Sequence, residues 1–479
     1  MAFNDISFLF IFFPVALILH KIMPMFGKNL ILLILSLLFF AWGSPQYVVL
    51  LLLSIVFNYF TGLKIQSQKE EKNPSGMKYT LVSAVIVNLL LLGFFKYWGF
   101  VITNVNALLR TSIPVRQVSM PLGISFFTFS ILSFLFDVYR DKATAPKNPL
   151  DFALFVSFFP KLVSGPIVQY ADFAQQIHER KLHSAKFGNG CRLFLIGLAK
   201  KVLLSNIIGT TFYAISALPL SKLSVVSAWL GAACYSLMLY FDFSGYSDMA
   251  IGIAQMFGFQ FEKNFDYPYM SASITEFWRR WHISLGAWFR DYVYIPLGGS
   301  RCSIGKHIRN LLIVWALTGI WHGANWNFIA WGLFHGGILL IEKFLLKEIT
   351  DYIPKPIRIF TTVILAMIGW VFFFSPDLGS ACVWLGRMFG IGATGFMDAT
   401  AKYYLSGSWL ILLIGTFSAY PIGTRLGGNV YRMGKGAIAV SVIWFAVLLV
   451  LCIAGMLSST YSSFLYFQFY GGCNCGTKS

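Results

Sequence analysis

Charged residues are scarce in this chain. Only 12% of its 479 residues are Asp, Glu, Lys or Arg, whereas 57% are hydrophobic and 18% are aromatic. A water-soluble domain carries about 25% charged residues, so this composition excludes an ordinary soluble protein. Repeated long apolar runs, in place of a single run, predict an all-α membrane protein that crosses the bilayer many times.

Cysteine is also scarce, and the seven residues are mostly scattered through apolar sequence. The pair Cys473 and Cys475 offers too few ligands for a zinc site, which needs about four. We therefore predict neither a metal nor a disulfide framework. The first apolar run lacks a small-residue cleavage site and leads into further spans, so we interpret it as a transmembrane helix and not as a signal peptide.

Acidic residues number 19 against 37 Lys and Arg, and the formal net charge is +18. The cations cluster in short loops, which follows the positive-inside rule and argues against nucleic-acid binding. The densest cluster is the basic patch at 178–201. It has two interpretations: a cytoplasmic face that orients the protein and attracts anionic lipids, or an attractor for a negatively charged cytoplasmic donor.

The spacing of apolar runs gives roughly 11–13 crossings, each long enough for a bilayer. We predict spanning helices at 6–20, 29–43, 47–63, 80–104, 121–138, 202–218, 223–241, 309–322, 324–341, 357–375, 406–422 and 437–456. An external N-terminus then puts the basic segments 64–78 and 137–142 in the cytoplasm and the tail 457–479 outside. Segment 158–170 contains two prolines and a lysine, so we predict a re-entrant or interfacial segment there.

Segment 271–301 is too charged to face lipid. Ser273 and Glu276 have capping-box spacing, and Pro296 with the following glycines is expected to end the helix. Within this helix, His282 shares a polar stripe with arginines, beside a stripe of tryptophans. The stripe fits either an amphipathic interfacial helix with snorkelling arginines or the polar wall of a site inside the protein.

One histidine, His322, lies in apolar sequence. An ionisable side chain there is costly unless it meets a partner or a water-filled path, so His322 is a candidate functional residue. The simpler alternative is a structural histidine bonded to a helix carbonyl. Trp315, Gly319, His322 and Trp326 have helical spacing, Gly319 would admit a close backbone or a substrate chain, and Asn325 is near enough to orient the ring.

A third candidate lies at a span boundary, where Asp242, Ser244 and Asp248 occur among small residues. We expect these carboxylates to pair with Arg279 or Arg280, mainly in a structural role. For the remaining intramembrane histidine, His335 in a Gly-rich helix, we also predict a structural role.

These stretches together resemble the membrane-bound O-acyltransferases, and within them the bacterial branch that O-acetylates alginate, peptidoglycan and cellulose. The resemblance covers most of residues 1–470, and the sister branch that D-alanylates teichoic acids is less similar. The stretches that carry the resemblance are 121–140, 159–167, 241–252, 264–268, 276–301 and 315–326.

The resemblance implies a ring of spanning helices around a central funnel, with catalytic core 146–345 between helices 1–145 and 346–456. His322 matches the intramembrane catalytic histidine, and His282 matches the second family histidine on the cytoplasmic side. Asn325 or a backbone N–H is a candidate to orient the ring or stabilise an oxyanion. The remaining funnel candidates are Trp278, Arg279, Arg280, Trp281, Trp321, Trp326, Asp242 and Ser244.

The tail 462–470 resembles a C-terminal aromatic motif of this branch, in which a tyrosine is proposed to carry the acyl group transiently. The matching residue is Tyr466. The alternative is an aromatic anchor at the membrane boundary.

The function implied is an O-acyltransferase in the cytoplasmic membrane of a bacterium. It would move acetyl from a cytoplasmic thioester, acetyl-coenzyme A or an acyl carrier protein, for O-acetylation of a cell-surface polysaccharide. No bound cofactor is expected; the implied partners are membrane lipids and an extracellular SGNH-type acetyltransferase. The alternatives are D-alanyl transfer to a cell-wall polymer, a polytopic transporter whose His and Arg residues line a path, and a scaffold for a polysaccharide-modifying complex.

Overall fold

The computed structural model describes residues 2–116, 118–346, 352–421 and 435–458. Regular secondary structure in these ranges is helical, which confirms the predicted all-α membrane class. Six of the described helices are long and apolar enough to cross a membrane. They are Pro45–Glu70, Pro74–Leu109, Ser184–Ser216, Val225–Met256, Lys355–Phe374 and Ala439–Ser458.

The chain forms two compact units that alternate along the sequence. The first holds residues up to Phe194 together with Ser247–Glu262, and the second holds Leu195–Tyr246 and the described residues from Lys263 onward. The predicted division into 1–145, 146–345 and 346–456 stays a prediction.

The first unit is built around a helix that is buried almost everywhere. This helix, α5 (Ile124–Tyr139), is apolar on all sides, and such a helix is stable only when other elements cover it. The helices are α1 (Phe13–Ile22), α2 (Met25–Gly43), α3 (Val48–Glu70), α4 (Pro74–Leu109), α5 (Ile124–Tyr139), α6 (Pro149–Ser157), α7 (Phe159–Leu162) and α8 (Tyr170–Glu179).

The predicted re-entrant segment at 158–170 is confirmed as an interruption and not a spanning helix. After the single turn of α7 the backbone passes through bends and extended residues before α8, and it is buried almost throughout. Gly123 allows this segment to approach α5, because it has φ +68° and a Cβ there would collide with the carbonyl of Leu162. The buried Lys161 donates from Nζ to Oγ of Ser130 over 2.8 Å.

The second unit contains most of the later helices, while α9 (Ser184–Ala199) and α11 (Val225–Met256) contribute residues to both units. A π-helical turn, Lys200–Ser205, joins α9 to α10, so the basic patch 178–201 is largely helical. The helices are α9 (Ser184–Ala199), α10 (Asn206–Ser216), α11 (Val225–Met256), α12 (Ile274–Arg280), α13 (Ile283–Phe289), α14 (Ile304–His322), α15 (Trp326–Phe344), α16 (Lys355–Phe374), α17 (Leu378–Met388), α18 (Ala399–Ser418) and α19 (Lys435–Ser458).

Helices α14 and α15 pack backbone against backbone. A Cβ on Gly319 would collide with the carbonyl of Phe328, and a Cβ on Gly332 would collide with the carbonyl of Trp315. The prediction that Gly319 admits a close neighbour is therefore confirmed, and that neighbour is the backbone of α15. This packing fixes the end of α14, where His322 lies.

Candidate active site

The prediction of a continuous helix after Ser273 is wrong, because the helix is interrupted at Trp281 and His282. Helix α12 ends at Arg280, and His282 has left-handed backbone angles, φ 46° and ψ 54°. A non-glycine residue pays about 1–3 kcal/mol for such a conformation. The polar stripe that periodicity predicted is consequently divided between two short helices.

Asn264 supplies the hydrogen bonds that hold this break. Its backbone carbonyl accepts from the N–H of Ile283 over 2.9 Å. Its side-chain Oδ1 accepts from the backbone N–H of Ser284 over 3.1 Å and from the Ser284 hydroxyl over 2.9 Å. The first N–H groups of α13 thus find partners outside the helix, so little is lost when the helix is interrupted.

The start of α12 follows the predicted capping pattern. Ser273 Oγ accepts from the backbone N–H of Glu276 over 3.0 Å, and the Glu276 carboxylate accepts from the backbone N–H of Ala272 over 2.8 Å. Glu342 of α15, which the sequence did not single out, accepts from the N–H of Thr275 over 2.8 Å and from its hydroxyl over 2.7 Å. This carboxylate ties α12 to α15.

His282 is a neutral imidazole with a defined tautomer. The Ser284 N–H needs an acceptor, so Asn264 must present Oδ1 and not its amide nitrogen. Nδ1 of His282 lies 3.2 Å from that oxygen and therefore carries the proton. Nε2 is buried and has no hydrogen-bond partner among the described residues. Burial lowers the pKa of His282 far below its ordinary value, so Nε2 stays unprotonated at neutral pH and offers its lone pair as a hydrogen-bond acceptor.

The two candidate histidines contact the same tryptophan. The ring centroid of Trp321 is 6.1 Å from that of His282 and 5.0 Å from that of His322. Trp321 itself is only 3% exposed. The structure therefore brings His282, Trp321 and His322 into one cluster, although 40 residues separate the two histidines in sequence.

His322 is the last residue of α14, and Gly323 continues in extended backbone. Its ring lies against Trp331, with 5.0 Å between the centroids, and against Phe373, with 5.1 Å between the centroids. A helix C-terminus stabilises positive charge. This position would favour the imidazolium that forms when His322 takes up a proton.

The expected helical alignment of Asn325 and Trp326 with His322 is wrong, because α14 ends at His322. Asn325 is the N-cap of α15: its Oδ1 accepts from the Trp326 backbone N–H over 2.7 Å, and its amide donates to the Pro376 carbonyl over 2.7 Å. Both polar ends of this side chain are engaged in the fold. Trp326 begins α15 and is 54% exposed, so it does not continue the face of α14 that carries His322.

Asp242 pairs with Lys201 and not with Arg279 or Arg280. The Lys201 ammonium contacts the Asp242 carboxylate, and each side chain is 3% exposed. Arg280 contacts Glu276 over 2.8 Å and Asp266 over 3.7 Å. The pairing with Lys201 was not predicted, because Lys201 is distant from Asp242 in sequence and lies in the basic patch 178–201.

Trp278 connects His335 to the same aromatic cluster. Its ring centroid lies 4.9 Å from those of both Trp315 and His335. Trp331, which contacts His322, is 5.3 Å from His335. His335 is fully buried, and neither of its ring nitrogens has a hydrogen-bond partner in the described part of the chain. It therefore lies next to the site, whereas the sequence suggested only a structural residue.

The remaining candidate residues differ in how far they are buried. Trp281 is buried, with its ring centroid 4.8 Å from that of Trp370. Ser244 is fully buried on α11, and Arg279 is exposed. Tyr466 lies outside the described residues.

The family is shown by a model of the membrane-bound O-acyltransferase family, MBOAT, which matches residues 36–380. This match includes both candidate histidines and the Asn264 loop that positions one of them.

Curated relatives agree with this family. A probable alginate O-acetylase AlgI of Azotobacter vinelandii is 41% identical over 396 residues, 82% of this chain and 79% of the relative. Another, from Pseudomonas putida, is 38% identical over 491 residues, 98% of this chain and 100% of the relative. A peptidoglycan O-acetyltransferase of Helicobacter pylori is 37% identical and covers 82% of this chain and 80% of the relative. The chain therefore belongs to the membrane-bound O-acyltransferase family and is an O-acyltransferase.

Proposed function

We propose that this protein moves an acetyl group from a cytoplasmic thioester to the outer side of the bacterial cytoplasmic membrane, for O-acetylation of a cell-surface polysaccharide. The observation that carries the proposal is the cluster in which the ring of Trp321 contacts the rings of both His282 and His322. The polysaccharide class is supported by the alginate and peptidoglycan activities named for the relatives.

His322 acts as the general base in this proposal. It takes the proton from an acceptor hydroxyl while that oxygen attacks the thioester carbonyl, and an imidazole suits this near neutral pH. The new C–O bond replaces the C–S bond, and the thiolate leaves with the proton that His322 had taken. We assign Asn325 no part in this step, because its side chain caps α15 and bonds to the Pro376 carbonyl.

His282 positions the donor. Its Nε2 lone pair is an acceptor without a partner among the described residues. The pantetheine arm shared by coenzyme A and acyl carrier proteins carries amide N–H groups, which match such an acceptor. Coenzyme A is the simpler of the two donors, and both are acidic, as suits a chain with net charge +18.

Export of the acetyl group requires a carrier on the outer side. Tyr466 is our candidate: its phenol oxygen would form an ester with acetyl and release it to an SGNH-type transferase. The Pseudomonas putida relative covers 98% of this chain, so the similarity reaches into the tail region.

The test reconstitutes the full chain in liposomes and supplies acetyl-labelled coenzyme A on the side of the basic loops. We expect label to leave coenzyme A and to appear in an ester on the protein or on an added polysaccharide acceptor. Accumulation of an intact labelled solute without acetyl transfer would instead support a transporter. Equal transfer by wild type and His322→Ala would exclude His322 as the base, and no transfer by either would support the scaffold alternative.

A further inference from the structure

The first unit contains a cavity of about 660 Å³ that no part of the proposed reaction uses. It lies where the apolar helix Phe8–Ile22 ends and the apolar helix Gly27–Gly43 begins. Residues at the start of α6, at the end of α8 and just after α8 complete its wall. Its lining includes His20, Lys28, Asp151, His178, Arg180 and Lys181.

Positive charge predominates in this wall. Lys28, Arg180 and Lys181 face a single carboxylate, Asp151, which already contacts Nε2 of His178 over 2.8 Å. These three cations outnumber the one carboxylate in the wall, so the wall of the cavity carries a net positive charge. A ligand that carries a phosphate would supply the missing negative charge.

One of the three cations, Arg180, is held in place by the protein. Arg180 donates from Nη2 to Oδ1 of Asn29 over 2.5 Å, and its guanidinium carbon lies 4.3 Å from the centroid of the Phe259 ring. These contacts hold the guanidinium in one orientation before any ligand arrives. A fixed cation loses less conformational entropy on binding than a mobile one.

His20 provides a second, independent indication of a ligand. It lines the cavity, is only 3% exposed, and its Nε2 has no hydrogen-bond partner within the described ranges. A buried polar atom without a partner costs about 1–3 kcal/mol, and a hydrogen bond from a ligand would remove this cost. A phosphate oxygen would accept a hydrogen bond from a protonated Nε2.

The rim of the cavity is apolar. Leu30, Leu150 and Leu182 line it and are 45%, 40% and 44% exposed. Cations in the wall with exposed leucines beside them, at the end of two apolar helices, match a molecule with a charged head and apolar chains. We propose that this cavity binds an anionic phospholipid, with its phosphate against Lys28, Arg180 and Lys181 and its acyl chains over the leucines.

The test measures lipid binding to the detergent-purified full chain by native mass spectrometry, with phosphatidylglycerol and phosphatidylcholine as probes. Wild type should bind phosphatidylglycerol in preference. Each lysine lost should weaken that binding about fivefold, so Lys28→Gln with Lys181→Gln should show both losses together. The matched control, Lys64→Gln with Lys78→Gln, removes two exposed lysines outside the cavity and should bind like wild type.

Unchanged phosphatidylglycerol affinity in the Lys28→Gln, Lys181→Gln variant would overturn the proposal. Displacement of phosphatidylglycerol by coenzyme A, with the same dependence on these lysines, would also overturn it, because the site would then take a soluble phosphate. Lys181 is exposed, so Lys181→Gln alone tests the proposal even where the double variant does not fold. The Lys28→Arg, Lys181→Arg variant keeps the charge and should keep the lipid.

Discussion

Nδ1 of His282 lies 3.2 Å from Oδ1 of Asn264, and this hydrogen bond determines that Nδ1 carries the proton and Nε2 the free lone pair. The same oxygen accepts hydrogen bonds from the backbone N–H and the hydroxyl of Ser284, so the start of α13 fixes the orientation of the Asn264 side chain. The helix break and the chemical state of the histidine thus have one cause. His282 presents Nε2 because Asn264 holds both the ring and the backbone that follows it.

Replacement of Asn264 by Ala should lower both activity and stability. It removes the partner of Nδ1 and the partner of the Ser284 N–H, at about 1–3 kcal/mol for each buried group left unsatisfied. We expect a tenfold to hundredfold loss of acetyl transfer, roughly the effect of removing a residue that orients a histidine. Activity assays with thermal unfolding in detergent check this, and wild-type activity in Asn264→Ala would contradict it.

Asn264→Asp tests the tautomer through pH. Burial lowers the pKa of His282 in wild type, so its ring stays neutral and its activity should not titrate on this account between pH 6 and 8. The contribution of His282 to the stability of the native fold is therefore lost progressively as pH falls from the unfolded pKa of about 6.5 towards the lowered pKa of about 3. A carboxylate at 264 raises the pKa of His282. Asn264→Asp should lose activity at a higher pH than wild type, whereas identical pH profiles would reject the assignment.

The packing of α14 on α15 predicts a contrast between two glycines. Gly332→Ala places a methyl against the Trp315 carbonyl, which is backbone and cannot rotate away. We expect about 1–3 kcal/mol of destabilisation and reduced activity, because His322 ends the displaced helix. Gly337→Ala is the control on the same helix, since a Cβ there meets nothing within 4 Å. Equal melting temperatures for the two variants would show that the close approach is unimportant.

The buried pair of Lys201 and Asp242 predicts non-additive substitutions. Lys201→Met leaves a buried carboxylate without its cation, which costs about 3–5 kcal/mol. Asp242→Asn together with Lys201→Met removes both charges and should be more stable than Lys201→Met alone. Unfolding of the two single variants and the double variant measures this coupling. A purely additive result would mean that the two groups do not interact energetically.

The sequence alone predicted the features that depend on neighbouring residues. Long apolar helices and the capping of α12 by Ser273 follow from hydropathy and from spacing over a few residues, so they were found correctly. The break at His282 depends on Asn264, and the pair of Lys201 with Asp242 joins separate helices. Helical periodicity contains no information on either contact, and so it predicted a continuous helix and the wrong ion pair.

The same reasoning explains the error in the alignment of Asn325 and the unpredicted position of His335 beside the site. Spacing alone placed Asn325 one turn from His322, but α14 ends at His322 and Asn325 caps the next helix. His335 was set aside because its Gly-rich surroundings suggested packing, yet the fold brings it to Trp278 and Trp331. Its position inside a run of aromatic residues at helical spacing was the available signal.

The carrier role of Tyr466 has its own test. Incubation of the full chain with acetyl-coenzyme A should add the mass of one acetyl group, and Tyr466→Phe should abolish the adduct because it lacks only the hydroxyl. Tyr403→Phe, which changes an exposed tyrosine elsewhere, serves as the control and should keep it. An undiminished adduct in Tyr466→Phe would exclude this residue as the carrier and leave the histidine chemistry untested.

The most direct test of the central claim is acetyl transfer by His322→Ala in liposomes, compared with His183→Ala, which changes an exposed histidine in a loop. Protein insertion is verified in each sample. General base catalysis contributes about 10²–10⁴-fold, so His322→Ala should lose at least a hundredfold in rate while His183→Ala matches wild type. Transfer by His322→Ala within a few fold of wild type would contradict the account.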